Sequence, residues 1–530
     1  MQDEIEAKPE ATPLSQNRRL IGAAALIAAG NIIQRILGLG RETVIATLFG
    51  ASGSLAAYRL VAFVPQTLYQ LIAGGEMVTS SLVPVFSEFV AKNERDSLWR
   101  AVSITLSTVA VVVTTAVLLL ELFAPLVARL IGASNLQDPT LLPEAIGILR
   151  LILPVMLFLS ISSVFTAVLQ ALERFTLPAF TIALYNASII AVALIWPTSV
   201  RSLAWGMLLG SFLMILLQIP GLQDAKLSFD LNWRHPVVRR LLSLYAPIIL
   251  GLVINQLGLF IGLNLATRTG DESVNYMAIS TTLYQLPLGL VVVGLSTAIL
   301  PTLSKQAFGP DDQFKTTLAD GLRLVLTLIL PAAFGLFALA FPIIQLLFEY
   351  GAFTTLNSSI TASVLRVDLI GLPFAAVDQM LVYAFYARKD TLRPALVGIV
   401  SVVFYVVMAS FLISPFGLLG LMAANAGKII LHAAIMIFLM NRYLGQMDGF
   451  GIRPVFIKSL GASIATGTVA YLSWQWLSGG NPSPYFLNRA INVLIPGVLG
   501  GGIYVVLAYI FNLQEIKAVF RLISSVKIWK

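Results

Sequence analysis

The chain has no cysteine in 530 residues. That excludes a disulfide framework, a thiolate metal site and a cysteine nucleophile. Two histidines are too few for a histidine-built centre, so no metal site is expected. Charge is also scarce: 11% of residues are Asp, Glu, Lys or Arg, against roughly 25% in a soluble domain. No phosphate loop, no HExxH helix and no dinucleotide glycine fingerprint in a strand–helix setting occurs. The chain is therefore expected to be no enzyme, to contain no nucleotide-driven motor and to need no organic cofactor. A net charge of +8 is compatible with nucleic acid, but its distribution points to membrane orientation, and no nucleic-acid partner is expected.

What is abundant is apolar length. Hydrophobic residues make up 58% of the chain, and a helix needs about 20 mostly apolar residues to cross the hydrocarbon. Fourteen segments meet that demand: 20–49 and 55–90 (each expected to be broken), 101–123, 144–171, 176–197, 201–221, 241–267, 273–303, 319–347, 359–387, 392–414, 417–440, 453–477 and 486–511. With the N-terminus inside, cytoplasmic segments collect 23 of the 34 lysines and arginines. The opposite side holds only Arg129, Arg201, Arg268 and Arg489, the asymmetry of the positive-inside rule. The reading is an all-α polytopic membrane protein with both termini cytoplasmic. Residues 1–19 form a disordered tail, 20–222 an N-lobe of six helices, 223–240 a cytoplasmic linker, 241–440 a C-lobe of six, and 441–530 two further helices and the C-terminus.

The two lobes read as a repeat. TLYQL stands at 67–71 and again at 282–286, and SLVPVFSE (81–88) matches AILPTLSK (298–305) at a shift of 217. ALERFTLPA (171–179) matches ARKDTLRPA (387–395) at 216. The offset spans six helices, an even number, so the repeat is parallel and its axis runs along the membrane normal. Transporters of this construction carry substrate between the lobes by alternating access.

Ionisable residues inside spans cost roughly 2.5–3.5 kcal/mol each on insertion scales, so they face a cavity or a partner. The first span carries Arg35, Arg41 and Glu42 around Gly38 and Gly40, and the second carries Arg59 and then Gly74, Gly75 and Glu76. The glycines are candidate hinges, with Glu42 beside them as a gate residue. The arginines suit an anionic headgroup such as a pyrophosphate, because guanidinium pairs with phosphate in bidentate fashion. Snorkelling to an interface, or a gate built with Glu42 and Glu76, is the alternative. In the C-lobe, Asp378 is the candidate for a coupling ion, Na+ or H+, while Lys428 and His432, one turn apart, read as a structural polar contact.

RILGLGRETVIATLFGAS resembles the first-helix signature of the MurJ/MviN lipid II flippases, a branch of the multidrug/oligosaccharidyl-lipid/polysaccharide exporter superfamily. SSLVPVFSEF, VLQALERFTLPAFTIALYN, LAWGMLLGSFLMILLQIPGL, APIILGLVINQ, TAILPTLSK, FEYGAF and FYARKDTLRP follow in order over roughly residues 30–400. The resemblance implies a fourteen-helix flippase of the bacterial inner membrane that moves undecaprenyl-pyrophosphate-linked peptidoglycan precursor. A role in cell-wall biogenesis is implied with it, and a monomer among membrane lipids, with cell-wall synthesis proteins as candidate partners, is expected. The resemblance also implies that Arg35 and Arg41 line a cationic cavity and that the lipid tail follows a groove at 453–511. Ala56, Gln70 and Thr282 stand where the family usually keeps an acidic residue and two cavity arginines, which makes Gln70 and Thr282 substrate-site positions of altered chemistry. The rival readings are a flippase for another polyprenyl-pyrophosphate oligosaccharide, a cation-coupled small-molecule exporter, and a non-transporting scaffold.

Overall fold

A computed structural model describes residues 13–445, 448–479 and 485–517. Most of the expected N-terminal tail, and the basic residues beyond Lys517, lie outside the described residues. The described residues form helices and connecting turns, with no strand among them. Within hydrocarbon a helix satisfies every backbone donor and acceptor internally, which is why long apolar runs take this form. Among the described residues, nine helices are long and apolar enough to cross a membrane, and two bent pairs bring the number to eleven. Leu392–Leu444 counts once although it has 53 residues, about 80 Å of helix. Inside it Gly417 leaves helical geometry (φ 55°, ψ −132°), two residues after Pro415.

The chain divides into two compact units. One is Met1–Val44, Ala62–Ala124 and Gly147–Ile248; the other is Ile45–Val61, Pro125–Ile146 and Ile249–Lys530. The division does not follow the sequence halves, since two turn regions of the N-terminal half belong to the second unit.

In the first unit, Thr176–Ile195 and Arg201–Gln218 pack along their lengths. The stretch GMLLG (206–210) allows it: a Cβ at Gly206 would lie 2.7 Å from Ile189 Cα. Small residues four apart let helix backbones approach where hydrophobic contrast with lipid is absent. The linker docks through its backbone. Ser228 and Asp230 donate N–H to Ser103 Oγ and Ser107 Oγ, each at 3.1 Å, and both serines are buried.

The first span, expected to break at Gly38 and Gly40, is one continuous helix, Pro13–Phe49, which begins inside the segment read as tail. An interior glycine costs about 1 kcal/mol relative to alanine, which permits a break without forcing one. Gly74 does interrupt the second span. The helix Gly53–Ala73 ends there, Gly75–Met77 resumes it, and Val78–Leu82 winds as a π-helix before Val83–Ala91.

The second unit repeats that irregularity. Ser273–Pro287 gives way to a π-helix, Leu288–Val292, and then to Val293–Gln306. Ile452–Ser478 packs against both Asp311–Ala338 and Phe486–Ile510, so the two last helices are an integral layer of this unit.

Candidate functional site

Arg41 is the charged residue of the first helix with the most fully built surroundings. Its Nη2 lies 2.8 Å from Glu42 Oε1, and its Nη1 donates to Asn186 Oδ1 at 3.1 Å. Glu42 and Asn186 are both buried, whereas the Arg41 side chain is 27% exposed. The carboxylate and amide hold the guanidinium on one side and leave part of it reachable. Gly38 adjoins this group, and a Cβ there would meet Asn186 Nδ2 at 3.8 Å, an ordinary contact. Around Gly40 the space is open. Asn186 escaped notice in the sequence; its only signal was a lone amide midway along an apolar helix.

The other expected residues fall as follows. Arg35 is half-buried, six residues before Arg41 and so about 240° round the same helix. Arg59 is half-buried on Gly53–Ala73. Gln70 is exposed, and its carbonyl accepts from Tyr245 Oη at 3.1 Å. Glu76, exposed, follows the Gly74–Gly75 interruption directly. Thr282 is half-buried and spends its hydroxyl on Ala278 O of its own helix at 2.9 Å. Ala56 is fully buried, a position without room for a solvated acid. Asp378 is bonded to His432, with 2.7 Å between Oδ1 and Nδ1. The structure thus gathers Gly38, Arg41 and Glu42 around Asn186, and Asp378 onto His432.

Three further features lie in the second unit: an ion pair whose partners were not read from the sequence, the FEYGAF stretch, and a groove partly lined by residues of the expected 453–511 region. Arg489 and Glu349 form a buried ion pair at 3.0 Å, each side chain 8% exposed. Arg489 Nη1 also donates to Glu349 O at 2.6 Å and Gln345 O at 3.1 Å, and its guanidinium lies 5.2 Å from the Tyr350 ring centre. The FEYGAF stretch so anchored closes on the end of the first helix. Ala352 N–H donates to Thr47 O at 2.9 Å. Gly50 and Gly351 both have φ in the left-handed region, 60° and 55°, and a Cβ at Gly50 would lie 2.6 Å from Ala352 O. Only glycine fits such a backbone-to-backbone clasp. The third feature is an apolar groove of about 670 Å³ between Asp311–Ala338, Leu372–Ala387 and Ile452–Ser478, lined by Leu326, Phe334, Phe374, Ile437 and Phe456 and carrying Arg453 and Asn441.

A family model described as Lipid II flippase MurJ matches residues 45–515. The chain belongs to the MurJ family. Lipid II flippase MurJ of Burkholderia cenocepacia is 29% identical over 474 residues, covering 86% of this chain and 91% of the relative. A probable lipid II flippase MurJ of Thermotoga maritima is 29% identical over 495 residues, covering 93% and 97%. Among solved structures, one described as lipid II flippase MurJ in an inward closed conformation superposes with a TM-score of 0.78. It is 24% identical and covers 93% of this chain and 100% of that one. An inward-facing multidrug transporter of the MATE family superposes at 0.66 with 15% identity, covering 78% and 96%. The MurJ fold is therefore shared along the chain, and the Arg41 group and the apolar groove both lie within the matched residues or on elements that reach them.

Proposed function

We propose that this protein is a lipid II flippase of the bacterial inner membrane, working by alternating access with both termini cytoplasmic. Arg35 and Arg41 meet the pyrophosphate, Arg59, Glu76, Gln70 and Thr282 shape the remainder of the site, and the hinge lies at Gly74–Gly75, with Gly38, Gly40 and Glu42 at the gate. Na+ or H+ drives the cycle through Asp378. The observation that carries this reading is Arg41: a guanidinium on the first helix, held by a buried acid and a buried amide, still partly exposed. Desolvated guanidinium binds phosphate oxygens strongly, and a residue of this cost in a span is kept for a pathway or a partner. Fourteen spans in two parallel six-helix lobes plus two helices fit the paired π-helices and the interruption at Gly417.

The groove with Arg453 at its rim suits an isoprenoid chain. The test is complementation of a depleted strain with Arg35→Ala and Arg41→Ala, following lipid II exposure on the outer leaflet. Expressed variants that fail to expose lipid II support the reading; parental rates in both variants refute it. A second reading, a flippase for another polyprenyl-pyrophosphate oligosaccharide, is favoured by the engaged hydroxyl of Thr282, where an arginine is expected. It predicts exposure of a different lipid-linked sugar with the same two variants inactive.

A further inference from the structure

Lys428 and His432 lie one turn apart on Leu392–Leu444, and therefore on one helix face. Each faces a carboxylate from the bent pair Thr355–Leu369 and Leu372–Ala387. His432 Nδ1 is 2.7 Å from Asp378 Oδ1. Lys428 interacts with the charge of Asp368, and its Nζ lies 5.0 Å from the Tyr405 ring centre. Asp368, 3% exposed, also accepts from Asn425 Nδ2 at 3.1 Å.

With both aspartates ionised and Lys428 charged, these charges cancel when His432 is protonated. Asp368 and Asp378 bring two negative charges and Lys428 one positive, and an uncompensated charge inside a span costs several kcal/mol. The missing positive charge belongs where Asp378 meets His432. We propose that the Asp378–His432 pair is a proton-binding site that couples transport to a proton gradient, with the Lys428 ammonium standing beside Asp368 where a coupling metal cation would otherwise be needed. This rests on the transporter reading above. With the proton on the imidazole, Nδ1–H donates to Oδ1 and the cluster is neutral; without it, a net negative charge is left between two helices. A metal cation needs several oxygen donors converging on one point. Here one Asp378 oxygen is taken by the imidazole, and one Asp368 oxygen by Asn425 Nδ2.

The other groups facing the pair are few. Tyr284 of Ser273–Pro287 feels both Asp368 and Asp378, and Tyr405 feels Asp368. Several other charged groups on the packed helices are held elsewhere. Arg366 donates to Phe337 O, Asp311 pairs with Arg388, Asp312 with Lys315, Arg323 with Asp320 and Glu515, and Arg393 with Asp390. Lys305 stands at the far end of Val293–Gln306. Access differs as a proton site requires: Asp378 and His432 side chains are 20% and 17% exposed, while Asp368 is sealed. The two carboxylates flank the 44° bend between their helices. Losing the proton turns an ion pair into a neutral-imidazole hydrogen bond, which weakens the tie of the Asp378 half to Leu392–Leu444 while Asp368 stays held, so the bend is the element the proton biases.

The chain's two histidines, His235 and His432, make the test direct. In full-length protein labelled with ¹⁵N-histidine in nanodiscs, His235→Gln leaves the His432 signal alone. As the pH is raised, its ring nitrogens should pass from imidazolium to neutral shifts. Asp378→Asn should alter that response and sodium chloride should not. In proteoliposomes an imposed pH gradient should raise lipid II movement several-fold, and His432→Gln or Asp378→Asn should lose that stimulation. A His432 signal indifferent to pH, a signal displaced by sodium, or transport by the parent insensitive to the gradient would overturn the proposal. The expected ring response together with no lipid II movement by the parent would support the proton site and count against lipid II as cargo.

Discussion

The two TLYQL segments are the same sequence in the same kind of element, yet each is finished by a different device. After the first, Gly74 stops the helix, and the exposed Glu76 follows. After the second, Pro287 closes the helix, with Leu288–Val292 as a π-helix and no charge in the turn. Proline removes a backbone donor and crowds the preceding turn, and a π-turn absorbs the extra residue. The glutamine is exposed in both copies. Tyr69 shares a 2.8 Å hydrogen bond with Ser163, whereas the buried Tyr284 lies in the field of Asp368 and Asp378. The two copies share the irregular helix and differ in chemistry: a partly exposed cation in the first half, and in the second an ionic cluster whose Asp368 is sealed and whose Asp378 is not.

That separation is open to attack at the ion pairs. Arg489→Ala would leave Glu349 buried and unpaired in the second unit, a loss of about 3–5 kcal/mol, read as a large fall in thermal unfolding temperature in detergent. Arg41→Ala also strips the buried Glu42 of its arginine, but the arginine itself is partly exposed, so its stability cost should be smaller, about 1–3 kcal/mol, while transport is lost. If Arg41→Ala proves the more destabilising of the two, the contrast between a functional and a structural arginine fails.

The clasp at Gly50 and Gly351 comes next. Gly351→Ala should cost about 1–2 kcal/mol from its left-handed backbone, and more from the close approach to Thr47 O, and protease should cut near residue 351 sooner than in the parent. Gly40→Ala, which meets open space in a regular helix, should instead be neutral or stabilise by up to about 1 kcal/mol in the same unfolding assay. The smallest effect lies in the loop before Leu141. Asp138 is held below its ordinary value by hydrogen bonds from the Thr140 hydroxyl and N–H. A depressed carboxyl contributes stability above its unfolded value of 3.8 and loses it as pH falls. Thr140→Val should therefore lower the unfolding temperature slightly at neutral pH, and the difference from the parent should shrink as pH falls from the ordinary carboxyl value through the depressed one.

Much of this was legible in the sequence for a simple reason: apolar length and glycine or proline punctuation are local. The duplicated π-helices follow TLYQL in both places, and Gly417 interrupts Leu392–Leu444 where the two expected spans meet. The partners were not legible because they are distant. Asn186 lies 145 residues from Arg41, and Glu349 lies 140 from Arg489. Arg489, read as an outer surface charge, is buried because a carboxylate, two carbonyls and an aromatic face converge on it. The continuous first helix was missed because glycine frequency reports what a helix tolerates, not what its neighbours impose.

The central claim is that the first half binds the anion and the second half holds the driving cation. Lipid II binding to the full chain by native mass spectrometry tests it most directly, comparing parent, Arg41→Ala and Asp378→Asn at one pH. The account predicts that Arg41→Ala loses bound lipid II by tenfold or more, about 1.4 kcal/mol, while Asp378→Asn retains it. Equal retention in both variants, or loss confined to Asp378→Asn, would contradict it.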